Sequence, residues 1–386
     1  MGEKRFNFNT KAVHFSEKDI AKNVSKAKPI YQTSAFVFSD LNDMESFYQG
    51  EKEYLYTRYS NPNTDDLAKG VAQLENAEDG VSTSSGMSAI LAGILAVVKP
   101  GESIIASNDL YGGTYQLFAD ELPNFGINVR FVSFENLNDV EEQIEESTVL
   151  LYTESITNPL LRVEEIDKIV ALAAKYDLKT MIDNTFATPY LLRPIDLGVD
   201  LVVHSATKYI GGHSDVTAGV VVGPKNLIAK AKAKVVTLGC NLTPFEGWLA
   251  CRGLKTLALR MERQCENAQE VASSLADNAG VDKVYYPTNV SKQGNGAIVT
   301  IKLAKDINIE TFFQTLAWIK IAPTLAGVET TVSYPLRTSH RTVPSEVRES
   351  LGIDAQVVRL SIGIEDAQDI IDTLVEAIEQ SKNDRS

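Results

Sequence analysis

Basic charge is what this sequence has too little of. Its 37 Lys and Arg face 51 Asp and Glu, for a formal net charge of −14. Nucleic-acid binding and docking on anionic lipid both need clustered cations, so the balance argues against both. Cysteine is scarce as well. Cys240, Cys251 and Cys265 fit no zinc spacing, and an odd count suits a reducing compartment better than a disulfide scaffold. No apolar run reaches membrane-spanning length, and Met1 to Thr10 is polar and charged, unlike a signal peptide. These absences predict a soluble, cytoplasmic protein with no structural metal. No G-x-G-x-x-G follows the first predicted strand, which argues against a nicotinamide dinucleotide. There is no internal repeat or low-complexity linker. The acidic run around Glu135, Asp139, Glu141, Glu142, Glu145 and Glu146 reads as a solvated helix face.

What is present is an ordinary globular composition, 44% hydrophobic over 386 residues, enough for two or three domains. Residues 1–60 show little periodicity and many aromatics. They predict an arm that is ordered by packing on something else, a neighbouring subunit being one candidate. Residues 61–255 alternate short apolar runs with amphipathic helices. Ser103–Ser107, Val129–Phe134, Val149–Glu154, Thr180–Asp183, Asp200–His204 and Val220–Gly223 read as buried strands. A further short strand precedes Ser84. Buried strands separated by helices predict a doubly wound α/β domain with a mostly parallel, seven-stranded-type sheet flanked by helices. Residues 256–386 predict a linker helix and a small C-terminal α+β domain. The chain reads as continuously helical from about Phe245 to Ala279. Strands follow at Val284–Pro287, Ala297–Leu303 and Val357–Ile362, with a closing helix marked by Ile370, Leu374 and Ile378.

The chemistry concentrates in Asp200-Leu-Val-Val-His-Ser205-Ala-Thr207-Lys208-Tyr-Ile-Gly211-Gly212-His-Ser214. Lys208 falls at the carboxyl end of a strand, where open α/β sheets bind ligands. Ser205 and Thr207 offer hydroxyls to a phosphate. The glycine pair lets backbone approach a ligand. A bare S-x-T-K also fits a surface lysine. Over its full length the stretch resembles the lysine-attachment signature of a family of pyridoxal-phosphate enzymes, and that resemblance implies that Lys208 carries pyridoxal 5′-phosphate. That cofactor needs a carboxylate near its pyridine nitrogen. Asp183, ending a neighbouring strand ahead of Asn184 and Thr185, is the candidate; helix capping is its alternative. Ser84 to Ser88 opens a helix, and helix amides bind phosphate. Tyr111 precedes Gly112-Gly113 at another strand end. It can stack on a ring and share in proton transfer, or sit in a core. Arg359 lies among apolar strand neighbours, an expensive place for a cation unless it meets an anion; its planar fork suits a substrate carboxylate.

These residues together resemble the Cys/Met-metabolism family of pyridoxal-phosphate enzymes: the cystathionine γ-lyases, cystathionine γ-synthases and methionine γ-lyases, of fold type I. The resemblance runs from Tyr56 to Glu365. It implies that Gly86 and Met87 donate amides to the cofactor phosphate, and Ser205 and Thr207 hydroxyls. Asp183 and Thr185 belong to its pyridine-nitrogen motif, and Asn158 touches the ring hydroxyl and the substrate side. Tyr56 and Arg58 reach the phosphate of a neighbouring subunit, so the family implies a tetramer of two catalytic dimers. Glu329 matches a glutamate of cystathionine-handling members, and Thr330 stands where serine is usual; both are expected at the substrate. Leu55 and Gln116 depart from residues that read the distal charges of cystathionine, and Gly113 stands where methionine γ-lyases carry cysteine. The implied activity is carbon–sulfur lysis by γ-elimination on cystathionine, homocysteine or methionine-type substrates, giving 2-oxobutyrate, ammonia and a thiol. The alternatives are γ-replacement on an O-acylhomoserine and, from another class, a catalytically silent small-molecule binder.

Overall fold

The computed structural model describes residues 6–15 and 25–382. Its larger sheet has seven strands: β1 (Asp79–Thr83), β2 (Ser103–Ser107), β3 (Asn128–Val132), β4 (Thr148–Glu154), β5 (Lys179–Asp183), β6 (Leu201–Ser205) and β7 (Gly219–Gly223). Their spatial order is β1-β7-β6-β5-β4-β2-β3. From β6 to β3 every pairing is parallel, whereas β7 is antiparallel to both its neighbours. β2 and β7 are buried along their whole length, which is why they read as unbroken apolar runs rather than alternating ones. Parallel pairing sets the carboxyl ends of β4, β5 and β6 side by side, at Glu154, Asp183 and Ser205.

The second sheet is smaller. It contains β8 (Val281–Tyr285), β9 (Ile298–Leu303), β10 (Lys320–Ile321), β11 (Thr331–Ser333) and β12 (Val357–Ser361), ordered β10-β11-β12-β9-β8. β10 and β11 carry two and three residues, too few to print a periodicity, and the sequence gives no sign of them.

The helical stretch after Phe245 is broken, not continuous. One helix spans Pro244–Leu254 and the next Leu257–Ala276. The cause is the Gly253 carbonyl, which accepts from Thr256 N and Oγ1 at 3.1 Å each and from Arg260 Nη2 at 2.9 Å. The second helix serves both sheets. Leu257, Met261 and Cys265 enter the core of the larger one, and Ala268, Val271 and Leu275 that of the smaller. The start of the arm is ordered by packing, here on its own chain. Helix Phe8–Val13 packs on its own chain, where Ala12 and Phe15 join the larger core. Further along, Val37 and Leu41 stay exposed. Among the described residues, no helix is long and apolar enough to cross a membrane.

Candidate active site

The carboxyl ends of β4, β5 and β6 open into a cavity of about 490 Å³, roofed by residues 323–325 and 337–342 of the second sheet's connections. Lys208 reaches it from a tight turn after β6. There Lys208 N donates to Ser205 O at 3.0 Å and Gly212 N to Lys208 O at 2.7 Å. Gly212 has φ +70°, and a Cβ on it would strike the Arg260 guanidinium at 2.1 Å, so the turn requires glycine. Lys208 Nζ donates to Thr324 Oγ1 at 3.1 Å. Burial, and then the charge of Arg359, push the pKa of its amine down to about 8.

Asp183 Oδ1 accepts from Thr185 N at 2.9 Å. The Thr185 hydroxyl accepts from Ser205 N at 2.8 Å, which fastens the end of β5 to β6 and leaves its own proton for Asp183. Burial raises the pKa of Asp183, while Thr185 and His204 oppose the rise. Among the described residues no cation lies within ion-pair distance of it. Behind it, His204 Nε2 meets Glu75 Oε1 at 2.7 Å, and Asn184 Nδ2 donates to the same oxygen at 2.8 Å.

The helix Gly86–Val97 points its N-terminus at the cavity. Ser85 and Ser88 form a reciprocal capping box. Ala89 N donates to Ser85 O, whereas the amides of Gly86 and Met87 have no partner among the described residues. A Cβ on Gly86 would lie 2.7 Å from Ser205 Cβ, so glycine brings the helix against β6. Ser205 Oγ is free among these residues, but Thr207 Oγ1 already exchanges hydrogen bonds with the Ala218 backbone at 3.0 and 3.2 Å.

Arg359 rises from the centre of β12 and is 3% exposed. It donates from Nη1 to Asn158 Oδ1 at 3.0 Å and from Nε to Ser333 Oγ at 3.1 Å. Burial lowers its pKa to about 10. Tyr111 is 42% exposed, and its main-chain N–H donates to Glu154 Oε1 at 2.7 Å.

Ten of the fourteen predicted site residues therefore line one cavity: Gly86, Met87, Tyr111, Asn158, Asp183, Thr185, Ser205, Thr207, Lys208 and Arg359. Four do not. Tyr56 and Arg58 lie in a separate surface hollow with Gln32, Ser34, Asn241 and Thr243. There Arg58 stacks over Tyr59 at 4.9 Å and donates to Val236 O. Thr330 is turned inward; its hydroxyl donates to Glu365 Oε2 at 2.8 Å and accepts from Gly363 N at 2.9 Å. Glu329 faces Lys320 at 3.7 Å. Thr324 and Glu154 are cavity residues that sequence reasoning missed as site residues. Thr324 sits in a loop with no motif of its own, and Glu154 reads as a strand end heading the stretch to Pro159 that resembles a family loop, in which Asn158 alone carries a predicted role.

The donor set suits pyridoxal phosphate: an amine of lowered pKa, a partly buried carboxyl without a cationic partner, two unpaired helix amides beside a free hydroxyl, and a buried guanidinium. An open α/β sheet with such a cavity at its carboxyl edge defines a cofactor-dependent enzyme of the pyridoxal type. Residues 9–379 match the family model described as Cys/Met metabolism PLP-dependent enzyme, and the chain belongs to that family. It is 38% identical to a cystathionine beta-lyase of Lactococcus lactis subsp. cremoris, over 96% of this chain and 98% of that one. It is 37% identical to an L-methionine gamma-lyase of Pseudomonas deceptionensis, over 97% and 98%. Its fold matches the crystal structure of a putative O-acetylhomoserine (thiol)-lyase of Campylobacter jejuni. The TM-score is 0.91 at 30% identity, covering 97% of this chain and 100% of that one, which carries N′-pyridoxyl-lysine-5′-monophosphate.

Proposed function

We propose that the protein is a carbon–sulfur lyase that eliminates a thiol from sulfur amino acids such as cystathionine, homocysteine or methionine. The observation that carries this reading is the convergence of Lys208, Asp183 and Arg359 on one cavity. Lys208 would hold the cofactor aldehyde, Gly86, Met87 and Ser205 its phosphate, and Asp183 its ring nitrogen. Bound there, the cofactor supplies an electron sink for the pair released at the substrate α-carbon.

The rest is the work of this chain's side chains. Arg359 binds the substrate α-carboxylate, and Asn158 holds the guanidinium in the plane that this requires. With its pKa near 8, Lys208 has a neutral fraction at physiological pH, so it can take the α-proton and return one later. Tyr111, which lines the same cavity, would share in proton transfer and pass a proton to the leaving thiolate. In γ-elimination the carbon chain leaves as 2-oxobutyrate and the nitrogen as ammonia, with water consumed. Tyr56 and Arg58 serve the cavity of a second subunit, in a homo-oligomer built from catalytic dimers.

The test supplies cystathionine, homocysteine and methionine singly and measures 2-oxo acid, ammonia and thiol. Release from a single substrate is expected. Pyruvate from cystathionine would assign the cut to the β-carbon, 2-oxobutyrate to the γ-carbon. Product only when an O-acylhomoserine and a thiol are supplied together would overturn elimination in favour of replacement.

A further inference from the structure

Two carboxyl groups, one buried and one partly buried, face the same cavity. Glu154 and Asp183 are register partners at the ends of β4 and β5, so their side chains leave the parallel pair on the same face. Glu154 is 6% exposed, and among the described residues no cation lies within ion-pair distance of it. It is also surrounded by acids. Asp183 faces it from β5, Asp109 from the segment after β2 and Glu164 from beyond β4, with Tyr152 on its own strand; Arg359 on β12 is a cation that feels its charge. Two like-charged carboxyls on paired strand ends favour a state in which only one of them is ionised.

The hydrogen bonds decide which one keeps the proton. Asp183 receives two donors, the amide and the hydroxyl of Thr185. Glu154 receives one, the Tyr111 amide. A single donor satisfies the carbonyl oxygen of a neutral acid, whereas two suit an anion. We propose that Glu154 is a positioning residue working as an uncharged carboxylic acid: its carbonyl oxygen anchors the Tyr111 main chain, and its retained proton leaves Asp183 the lone anion beneath the cofactor ring. Burial and the nearby Asp183 charge both act in this direction, holding the Glu154 pKa well above the usual carboxylate range. The proposal rests on the reading of Asp183 as the partner of the ring nitrogen. It adds that the β4–β5 edge carries one negative charge, not two.

The amide of Glu154→Gln offers the same carbonyl oxygen and cannot ionise, so it mimics the proposed state. Three measurements on the purified holoenzyme test this. The infrared spectrum of wild type should contain a protonated-carboxyl stretch that shifts in D2O. It should vanish in Glu154→Gln and survive in Asp183→Asn. The pH midpoint of the lysine-bound cofactor's absorption should move by less than about half a unit in Glu154→Gln; loss of a real anion would lower it by about one unit or more. Finally, kcat/KM should stay within about threefold of wild type in Glu154→Gln and fall roughly tenfold or more in Glu154→Leu, which strands the Tyr111 amide. The proposal is overturned by absence of the infrared band, its loss in Asp183→Asn rather than Glu154→Gln, or a downward midpoint shift in Glu154→Gln. If Glu154→Leu does not fold, the first two measurements still decide. Neither needs a substrate, so failure here is separable from failure of the lyase reading.

Discussion

Arg359 and Asn158 are 201 residues apart in sequence, yet Nη1 of one donates to Oδ1 of the other across 3.0 Å. The bond joins β12 of the smaller sheet to the loop after β4 of the larger. Arg359 is fully enclosed and has no anionic partner in an ion pair among the described residues, which is a costly state for a cation unless an anion arrives.

Replacing this arginine should therefore separate function from stability. If Arg359 is the carboxylate ligand proposed above, Arg359→Met should lower kcat/KM about a hundredfold or more through loss of two charge-assisted hydrogen bonds. Its folded state should be unchanged or more stable by up to about 3 kcal/mol, because an unpaired buried cation is gone. Steady-state kinetics and urea unfolding check the two halves. A stability loss matching the activity loss would show that Arg359 is a structural strut.

Lys208 makes a pH prediction with a definite sign. Its amine titrates near 8 in the folded chain against 10.5 in the reference state. Between those values the unfolded chain binds more protons than the folded one, so this residue makes stability rise with pH across that window. In the cofactor-free protein, wild type minus Lys208→Met should show that rise, with urea midpoints as the measure. Capture of added pyridoxal phosphate should accelerate with pH to a plateau just above 8. Borohydride trapping and peptide mapping should put the label on Lys208 alone.

The roof of the cavity depends on one missing methyl group. A Cβ on Gly112 would sit 1.8 Å from the Ser339 carbonyl oxygen. That oxygen is backbone and cannot rotate away. Gly112→Ala should displace the 335–342 segment, destabilise the fold by about 1–3 kcal/mol and raise KM more than it lowers kcat. Thermal unfolding together with substrate titration tests this.

Arg58 offers a test of assembly. It lies in its own hollow, away from the cavity of its own chain. If each cavity borrows Arg58 from a second subunit, Arg58→Ala and Lys208→Ala will each be inactive alone. Refolded together, they should recover part of wild-type activity, because mixed dimers contain one complete site. No recovery in demonstrably mixed oligomers would place the two residues in separate functions.

Much of this was legible in the residues. Buried strands announce themselves as apolar runs, and β2, β4, β5, β6 and β7 were read close to their observed ends. Lys208, Asp183 and Gly86 sit where strand-end geometry and glycine punctuation indicate, because those signals are local. The sequence is silent where distant groups intervene. The break at Lys255 and Thr256 follows from the Gly253 carbonyl bonding to Arg260. Helix Phe8–Val13 is held by a core that its own sequence does not reveal. Thr330 belongs to Glu365, 35 residues away.

What the sequence determined by itself was the class of fold and the set of chemical groups, since hydrophobic period and strand-end motifs depend on neighbours a few residues apart. What only the tertiary structure decided was which groups share one space: Thr324 on Lys208, Asn158 on Arg359, and Glu154 opposite Asp183. Charge, burial and proton affinity depend on distances through space between strands that are far apart in the chain. No local pattern encodes those distances.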